Sequence, residues 1–514
     1  MVQQSTAPVI GGPADFSGMV HAHAGTLVDG SGRPRLLRGM GLGNWFLAEG
    51  YMWLLEPGAS SPREIEALIE RLAGADYAAS FWTRYRDIYI TEADIARMAE
   101  CGFDHVRLPI NSRVIQTPTG EPIEEGYALI DRLIDWCKRH GLWVLLDLHG
   151  APGGQTGANI DDSPNNLPEL FLDQKYEDLT VRLWIDLARR YANETTVLGY
   201  DLLNEPLPNE WQHSHGDALA RVYQRLTEEI RRVDADHLLV YEGSHWATNW
   251  SMFDRVWDEN SCLQFHKYWS APDRETLSEF LQTRERLNLP IYMGEGGENT
   301  LPWLYTAFRL YETEDAGWCF WPWKKLSTKT SPSNVTPPAG WDKIIASSTG
   351  ETHVDPAEAQ AIFDQLLKNV ALDNTVWQPQ VIDALMGSPL PVLPAWGFSF
   401  AGPGVGHSVA KSAEAPVFRA SDRVGIRFQG ESVENPFTQT DGRPYLPEEV
   451  LVIDLEPGDW LAFDVPAGFD PTGAYGVDGE GNTVPVEIAM RDARLRVTAV
   501  EHVVLAAVHF KEAM

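Results

Sequence analysis

Cysteine is scarce in this chain. Cys101, Cys137, Cys262 and Cys319 are the only four in 514 residues, and none stands in a CxxC pair. That spacing offers neither a zinc ribbon nor a dithiol redox centre, so the four are expected as buried free thiols inside helices and strands. Positive charge is also short. Lys and Arg number 41 against 73 Asp and Glu, a formal charge of −32, and nucleic acid and anionic membranes would be repelled as partners. No apolar run approaches the roughly eighteen residues of a membrane-spanning helix. Met1-Val2-Gln3-Gln4-Ser5-Thr6 has neither a basic nor an apolar leader region, as expected of an intracellular chain or a secreted one whose leader has been removed. Compartment and oligomeric state are left open.

What is present is a large apolar fraction, 44%, with 19 tryptophans. This composition predicts a well-cored globular protein, with tryptophans to spare for a binding surface. The length suits one large barrel with a smaller module. Residues 1–35 read as a lead-in whose first twenty residues are Gly/Pro/Ala-rich and loose; its His21 and His23 have no further ligand nearby and predict no metal site. Gly39-Met40-Gly41-Leu42-Gly43 lies in a first strand, and no helix opens at its last glycine, which excludes a dinucleotide loop. An aromatic-rich insertion at 47–90 holds a helix near 62–73. Apolar strands then alternate with amphipathic helices up to a last helix at 356–370, making eight strands from Leu36 onward. Strands that are apolar throughout and separated by helices are parallel and buried on both faces. The prediction is an α/β fold, a (β/α)₈ barrel over 36–370. A Pro-spotted linker follows at 371–395 (Pro379, Pro389, Pro391, Pro394). A small all-β sandwich occupies 396–514, its short alternating runs punctuated by turns such as Asp441-Gly442 and Asp478-Gly479. Its role is either carbohydrate binding or packing.

Functional residues of such a barrel sit where strands end. Here those positions carry Arg107, His149, Asn204 with Glu205, His266 with Tyr268, Glu295, and Trp321 with Trp323. Pro206 stops the fourth strand and leaves the Glu205 carboxyl at its rim. Glu205 and Glu295, on the fourth and seventh strands, are expected to face each other across the mouth. Two opposed carboxyls suit cleavage of a glycosidic bond, one as acid/base and one as nucleophile or base. Small neighbours in Met293-Gly294-Glu295-Gly296-Gly297 allow close approach to an anomeric carbon. Arg107 is expected to keep Glu295 ionised and Tyr268 to donate to it. Asn204 suits a sugar 2-hydroxyl, His149 and His266 suit hydroxyls or the carboxylates, and Trp321 and Trp323 suit a sugar face.

These motifs resemble glycoside hydrolase family 5, the large cellulase-type family. They are His105-Val106-Arg107-Leu108-Pro109, Asp147-Leu148-His149, Leu203-Asn204-Glu205-Pro206, Phe265-His266-Lys267-Tyr268, Gly294-Glu295 and Trp318-Cys319-Phe320-Trp321. The resemblance covers about residues 36–370. It implies a retaining double displacement with Glu205 as acid/base, Glu295 as nucleophile, and Arg107, His149, Asn204, His266, Tyr268 and Trp321 as the supporting shell. It implies no cofactor or metal and a carbohydrate substrate. The expected substrates are β-linked glucosyl compounds; alternatives are a β-mannosidase or mannanase and a glucosylceramide-type glycosidase. Gly43-Asn44-Trp45-Phe46 and Trp321-Pro322-Trp323-Lys324 are similar to the exo-β-1,3-glucanase branch, while the appended β-domain is similar to the endoglycoceramidase arrangement. The insertion and the loop 324–354, with Trp53, Trp82 and Trp341, are expected to limit how many sugars fit.

Rival readings predict other residues. A degenerate carbohydrate-binding barrel would lack part of the glutamate pair or its shell. A metal-dependent hydrolase would need His/Asp clusters at several strand ends. Asp161 and Asp162, in a loop after a Gly-rich segment, offer a calcium site as an alternative to a solvated loop.

Overall fold

The computed structural model describes residues 8–387, 391–413, 416–430, 433–438 and 442–510; Pro389 and Asp441, named above in the linker and in a turn, lie outside them. By contact the chain divides into two units. The first comprises Met1–Lys267, Phe280–Gly296 and Ala316–Trp377, and the second Tyr268–Glu279, Gly297–Asp315 and Gln378–Met514.

The first unit is built on β1 (Arg38–Gly41), β2 (His105–Asn111), β3 (Trp143–Gly150), β4 (Val197–Asp201), β5 (Leu238–Glu242), β6 (Ser261–His266), β7 (Ile291–Gly297) and β8 (Gly317–Trp321). They close into one barrel in the order β6-β7-β8-β1-β2-β3-β4-β5. The pairs are parallel, as in the register of Leu145 with Gly199 and Tyr200 with Leu239. β2 to β8 are buried along their whole length, which is why they read as continuous apolar runs. Helices at Glu92–Glu100, Glu124–His140, Gln174–Tyr191, Trp211–Arg231, Ser278–Leu287 and Pro356–Asn369 connect or follow the strands close to their expected positions. Gly141, at φ 72°, ends the second of these in the left-handed conformation that a glycine adopts without strain.

Three segments depart from expectation. The described part of the lead-in is tied down: Val9–Ile10, His21–His23, Thr26–Val28 and Pro34–Leu36 form a four-stranded sheet. Val20 and Leu27 pack with Leu37, Trp143, Leu198, Leu238, Cys262, Tyr292 and Cys319, which lie at or near the starts of barrel strands. The lead-in therefore seals the end of the barrel opposite the strand termini; its strands are too short for a clear alternating pattern. The insertion holds a second helix, Ala75–Ile88, whose aromatics form a core and do not line a cleft. Trp53 (1% exposed) stacks near Phe81, Tyr85 and Trp341 (2% exposed), and Trp341 Nε1 donates to the Trp53 carbonyl at 2.9 Å. Finally, the described start of the expected linker is structured. Val376–Trp377 pairs with Ser333–Asn334, and Pro379–Met386 is a helix. Pro379 opens that helix at a position whose N–H has no intrahelical partner, so the proline that suggested a linker is a helix start.

The second unit holds three antiparallel sheets, in agreement with the expected β-domain. One joins Val392–Pro394, Ala507–His509, Tyr475–Val477 and Thr483–Val484. Another joins His407–Ser408, Trp460–Asp464, Arg494–Ala499 and Val486–Arg491. The third joins Ile426–Phe428, Leu451–Leu455 and Val503–Leu505. Arg419 is buried between Phe398 and Phe400, 3.5 and 3.8 Å from their ring centres, and donates to the carbonyls of Trp396, Phe398 and Ser399. The stretches 268–279 and 297–315, expected within the barrel, knit into this unit. Trp303 Nε1 donates to the Ser270 carbonyl at 2.7 Å and the Tyr305 hydroxyl to that of Asp464 at 2.6 Å.

Candidate active site

Arg107, in the middle of β2, is the hub. It is fully buried, and its guanidinium donates from Nε to Asp201 Oδ2 (2.9 Å) and from Nη1 to Glu295 Oε2 (2.7 Å). Its Nη2 reaches Asn204 Oδ1 (2.8 Å) and Glu242 Oε1 (3.1 Å) and lies 3.2 Å from Asp147 Oδ2. Five elements of the barrel are thus tied to one cation by strand alternation, which turns these side chains to its interior.

Glu205 follows β4 by four residues and has φ 47°, a left-handed conformation that strains a non-glycine residue. His266, the last residue of β6, donates from Nδ1 to Glu205 Oε1 at 2.8 Å and lies 4.0 Å from Glu295 Oε1. Oxygens of Glu205 and Glu295 and a ring nitrogen of His266 all lie within 4.8 Å of one another. The two expected glutamates are together. The trio offers three ligand atoms to a metal ion, but a ligating imidazole must be neutral, and Glu242 and Glu295 hold His266 charged against its burial.

Five carboxyls here face two cations. Burial pushes Asp147 up to about 8 and Asp201 well above the carboxylate range, outweighing Arg107. Oδ1 of each has no hydrogen-bond partner, which a buried neutral acid tolerates better than a carboxylate. Glu242 goes the other way: burial would raise it, but His266, Arg107 and the Glu205 N–H together hold it low. Burial also raises Glu295, against His266 and Arg107. His266 and Arg107 thus oppose, without cancelling, the cost of burying this carboxylate. Burial lowers His149 to about 4, leaving it neutral. That fits its bonds: Nδ1 donates to Asp147 Oδ2 at 2.7 Å, and Nε2 is 3.3 Å from the Asn204 amide nitrogen, placed to accept from it.

The two expected tryptophans have different surroundings. Trp321 stacks on His149, rings 5.6 Å apart and 6° from parallel, and its Nε1 donates to the Tyr51 hydroxyl at 3.0 Å. A Cβ on Gly41 or Gly43 would lie 2.7 Å from the indole, so the glycine-rich β1 end exists to let this ring close in. Trp321 is 2% exposed, held from behind by these contacts. Trp323 is fully buried, donates to Asp94 Oδ1 at 2.8 Å and offers nothing to a sugar. Tyr268 belongs with the second unit, and its ring packs against Trp269 at 5.4 Å. Asp161 is occupied by its own loop and Asp162 by two arginines from outside it. Asp161 accepts from Thr156 N and from Ser163 N and Oγ, and Asp162 pairs with Arg63 and Arg113, which argues against the calcium alternative.

Sequence reasoning missed Glu242, Asp147, Asp201 and Gln264. Glu242 is the last residue of β5, a strand-end signal of the kind that identified the others. Asp201 is likewise the last residue of β4, while Asp147 and Gln264 lie inside strands, where only the closed barrel brings Asp147 to Arg107 and Gln264 to Asp201 and Glu242.

Residues 71–327 match the family described as cellulase (glycosyl hydrolase family 5). The chain is 30% identical over 270 residues to a β-xylosidase of Phanerodontia chrysosporium, covering 51% of this chain and 55% of that protein. It is 29% identical to a probable glucan 1,3-β-glucosidase A of Aspergillus niger, covering 46% of this chain and 56% of that protein. The chain therefore spans about half the length of these relatives. Among solved structures, an endogalactoceramidase superposes with a TM-score of 0.49 at 17% identity, covering 96% of this chain and all of that one.

Proposed function

The chain belongs to glycosyl hydrolase family 5, and from that premise we propose that it is a retaining β-glycosidase of β-linked glucosyl substrates, with Glu295 as nucleophile and Glu205 as acid/base. The observation that carries this reading is the carboxyl separation. Oxygens of Glu205 and Glu295 approach within 4.8 Å, and a carboxyl spacing of about 5–5.5 Å suits direct attack, whereas about 6.5–9.5 Å leaves room for an intervening water.

In the first step a Glu295 oxygen bonds to the anomeric carbon as the bond to the leaving oxygen breaks, and Glu205 gives that oxygen its proton. In the second step water attacks the anomeric carbon, Glu205 takes a proton from it, and the ester to Glu295 breaks. Arg107 fixes the Glu295 carboxylate through Oε2. The His266 bond to Glu205 Oε1 fixes the direction of the acid. Asn204, anchored by Arg107 through its carbonyl oxygen, turns its amide nitrogen toward His149 and the sugar 2-hydroxyl position.

The low exposure of Asn204, His149, Trp321 and Glu295 supports a confined pocket, and hence action on chain ends or short glycosides. The 30% identity to a β-xylosidase favours xylosides as a second substrate class. A panel of aryl β-glucoside, xyloside, mannoside, galactoside and cellobioside beside laminarin, cellulose, mannan and glucosylceramide tests specificity. Turnover of monosaccharide glycosides and chain ends is expected; equal rates along long polymers would overturn the confined pocket. For the roles, Glu295→Gln should abolish turnover of every substrate. Glu205→Gln should lose about 10²–10⁴-fold in kcat/KM on unactivated glycosides and little on dinitrophenyl glycosides, which need no proton. Equal losses on both would remove the acid/base assignment.

A further inference from the structure

We infer that Glu242 is the positioning residue of the acid/base: it holds the main chain of Glu205 in its left-handed turn and keeps His266 a two-proton donor aimed at the Glu205 carboxyl. This rests on the reading of Glu205 as acid/base. Glu242 is completely buried at the end of β5 and uses both oxygens. Oε2 accepts the Glu205 N–H at 2.7 Å. Oε1 accepts from Arg107 Nη2 at 3.1 Å and from the Gln264 amide, and stands 3.3 Å from His266 Nε2.

The geometry gives each bond a task. A non-glycine residue at φ 47° reverts to ordinary conformations unless its surroundings hold it, and the Glu205 N–H is held by one atom, Glu242 Oε2. His266 stands between Glu242 and Glu205: Nδ1 bonds Glu205 at 2.8 Å, and Nε2 lies 3.3 Å from Glu242 Oε1 and 3.1 Å from the Gln264 amide nitrogen, whose two protons go to Asp201 and Glu242. An imidazole can donate from both nitrogens only when it is protonated. The charged groups facing this bridge are Arg107 from β2, Asp147 from β3, Asp201 from β4 and Glu295 from β7, with neutral His149 of β3 beside them. Burial raises Asp147 and Asp201 and favours their neutral forms, so among the acids of β3, β4 and β5 Glu242 is the one held ionised against burial, and with Glu295 it favours the charged ring.

Two measurements test this. In the wild-type protein, ¹⁵N shifts of the His266 ring at pH 7 should report both nitrogens protonated; a neutral ring would overturn the inference whatever the variants do. In Glu242→Gln, size and the acceptor for the Glu205 N–H are kept while the charge is lost. The His266 ring should then titrate at lower pH. The kcat/KM on unactivated glycosides should fall about 10- to 100-fold, with less than about threefold loss on dinitrophenyl glycosides. A structural role alone would lower both substrates together, and that result, or no loss on either, would overturn the inference. Glu205→Gln measured in parallel separates the two claims. If it shows the leaving-group split and Glu242→Gln does not, only the role of Glu242 fails. If Glu205→Gln shows no split, the acid/base reading fails first.

Discussion

Arg107 illustrates what one residue does when a barrel closes around it. A lone buried guanidinium would be ruinous, and so would a lone buried carboxylate; placed together they are tolerated because each satisfies the other. The surplus of acid over base has a consequence for pH. Glu295 must be ionised to attack, and burial raises it despite Arg107 and His266. Activity should therefore be lost, as pH falls, through a value above the ordinary glutamate pKa of about 4.3. The acid limb of kcat/KM on an activated aryl glycoside measures this, and a limb at or below about 4.3 would contradict it.

At the scale of elements, the two tryptophans that flank Pro322 have opposite fates. Trp321 ends β8 inside the barrel mouth, whereas Trp323 turns away to Asp94, which also holds Lys324 Nζ at 2.6 Å. Lys324 Nζ donates further to the carbonyls of Tyr89 and Val370, so this corner ties the insertion to the last barrel helix. Trp323→Phe should cost about 2 kcal/mol by removing a hydrogen bond to a buried charged group. Its Tm should fall while KM stays unchanged; a raised KM with unchanged Tm would return Trp323 to the sugar site. The strand-terminal positions were legible in the sequence because proline and glycine punctuate them. Which face of each strand looks inward was not, because strands buried on both sides lose their alternation.

For the whole molecule, charge and thiols make simple predictions. None of the four cysteines is in a disulfide; Cys137, Cys262 and Cys319 are buried and Cys101 is partly exposed. Burial raises the three buried thiols well above their usual range, which makes them poor nucleophiles. An aromatic disulfide reagent should therefore titrate one thiol in the native protein and all four in denaturant, and reductant should leave Tm unchanged. Fast reaction of the buried three in native buffer would show that the barrel opens far more readily than its packing indicates. Among the described residues no helix is long and apolar enough to cross a membrane.

The sequence by itself determined the barrel, its strand count, the β-domain and the pair Glu205 and Glu295. All of these depend on local signals: apolar runs, helical periodicity, and polar residues beside strand-ending prolines and glycines. Tertiary structure alone decided three things. The lead-in seals the barrel, because its apolar residues find their partners on distant strands. Trp53, Trp323 and Trp341 are core rather than binding surface, because exposure is a property of the packed chain. Glu242 joins the site, because a carboxylate at the end of β5 acquires its meaning only when closure of the barrel sets it against Arg107, His266 and the Glu205 main chain.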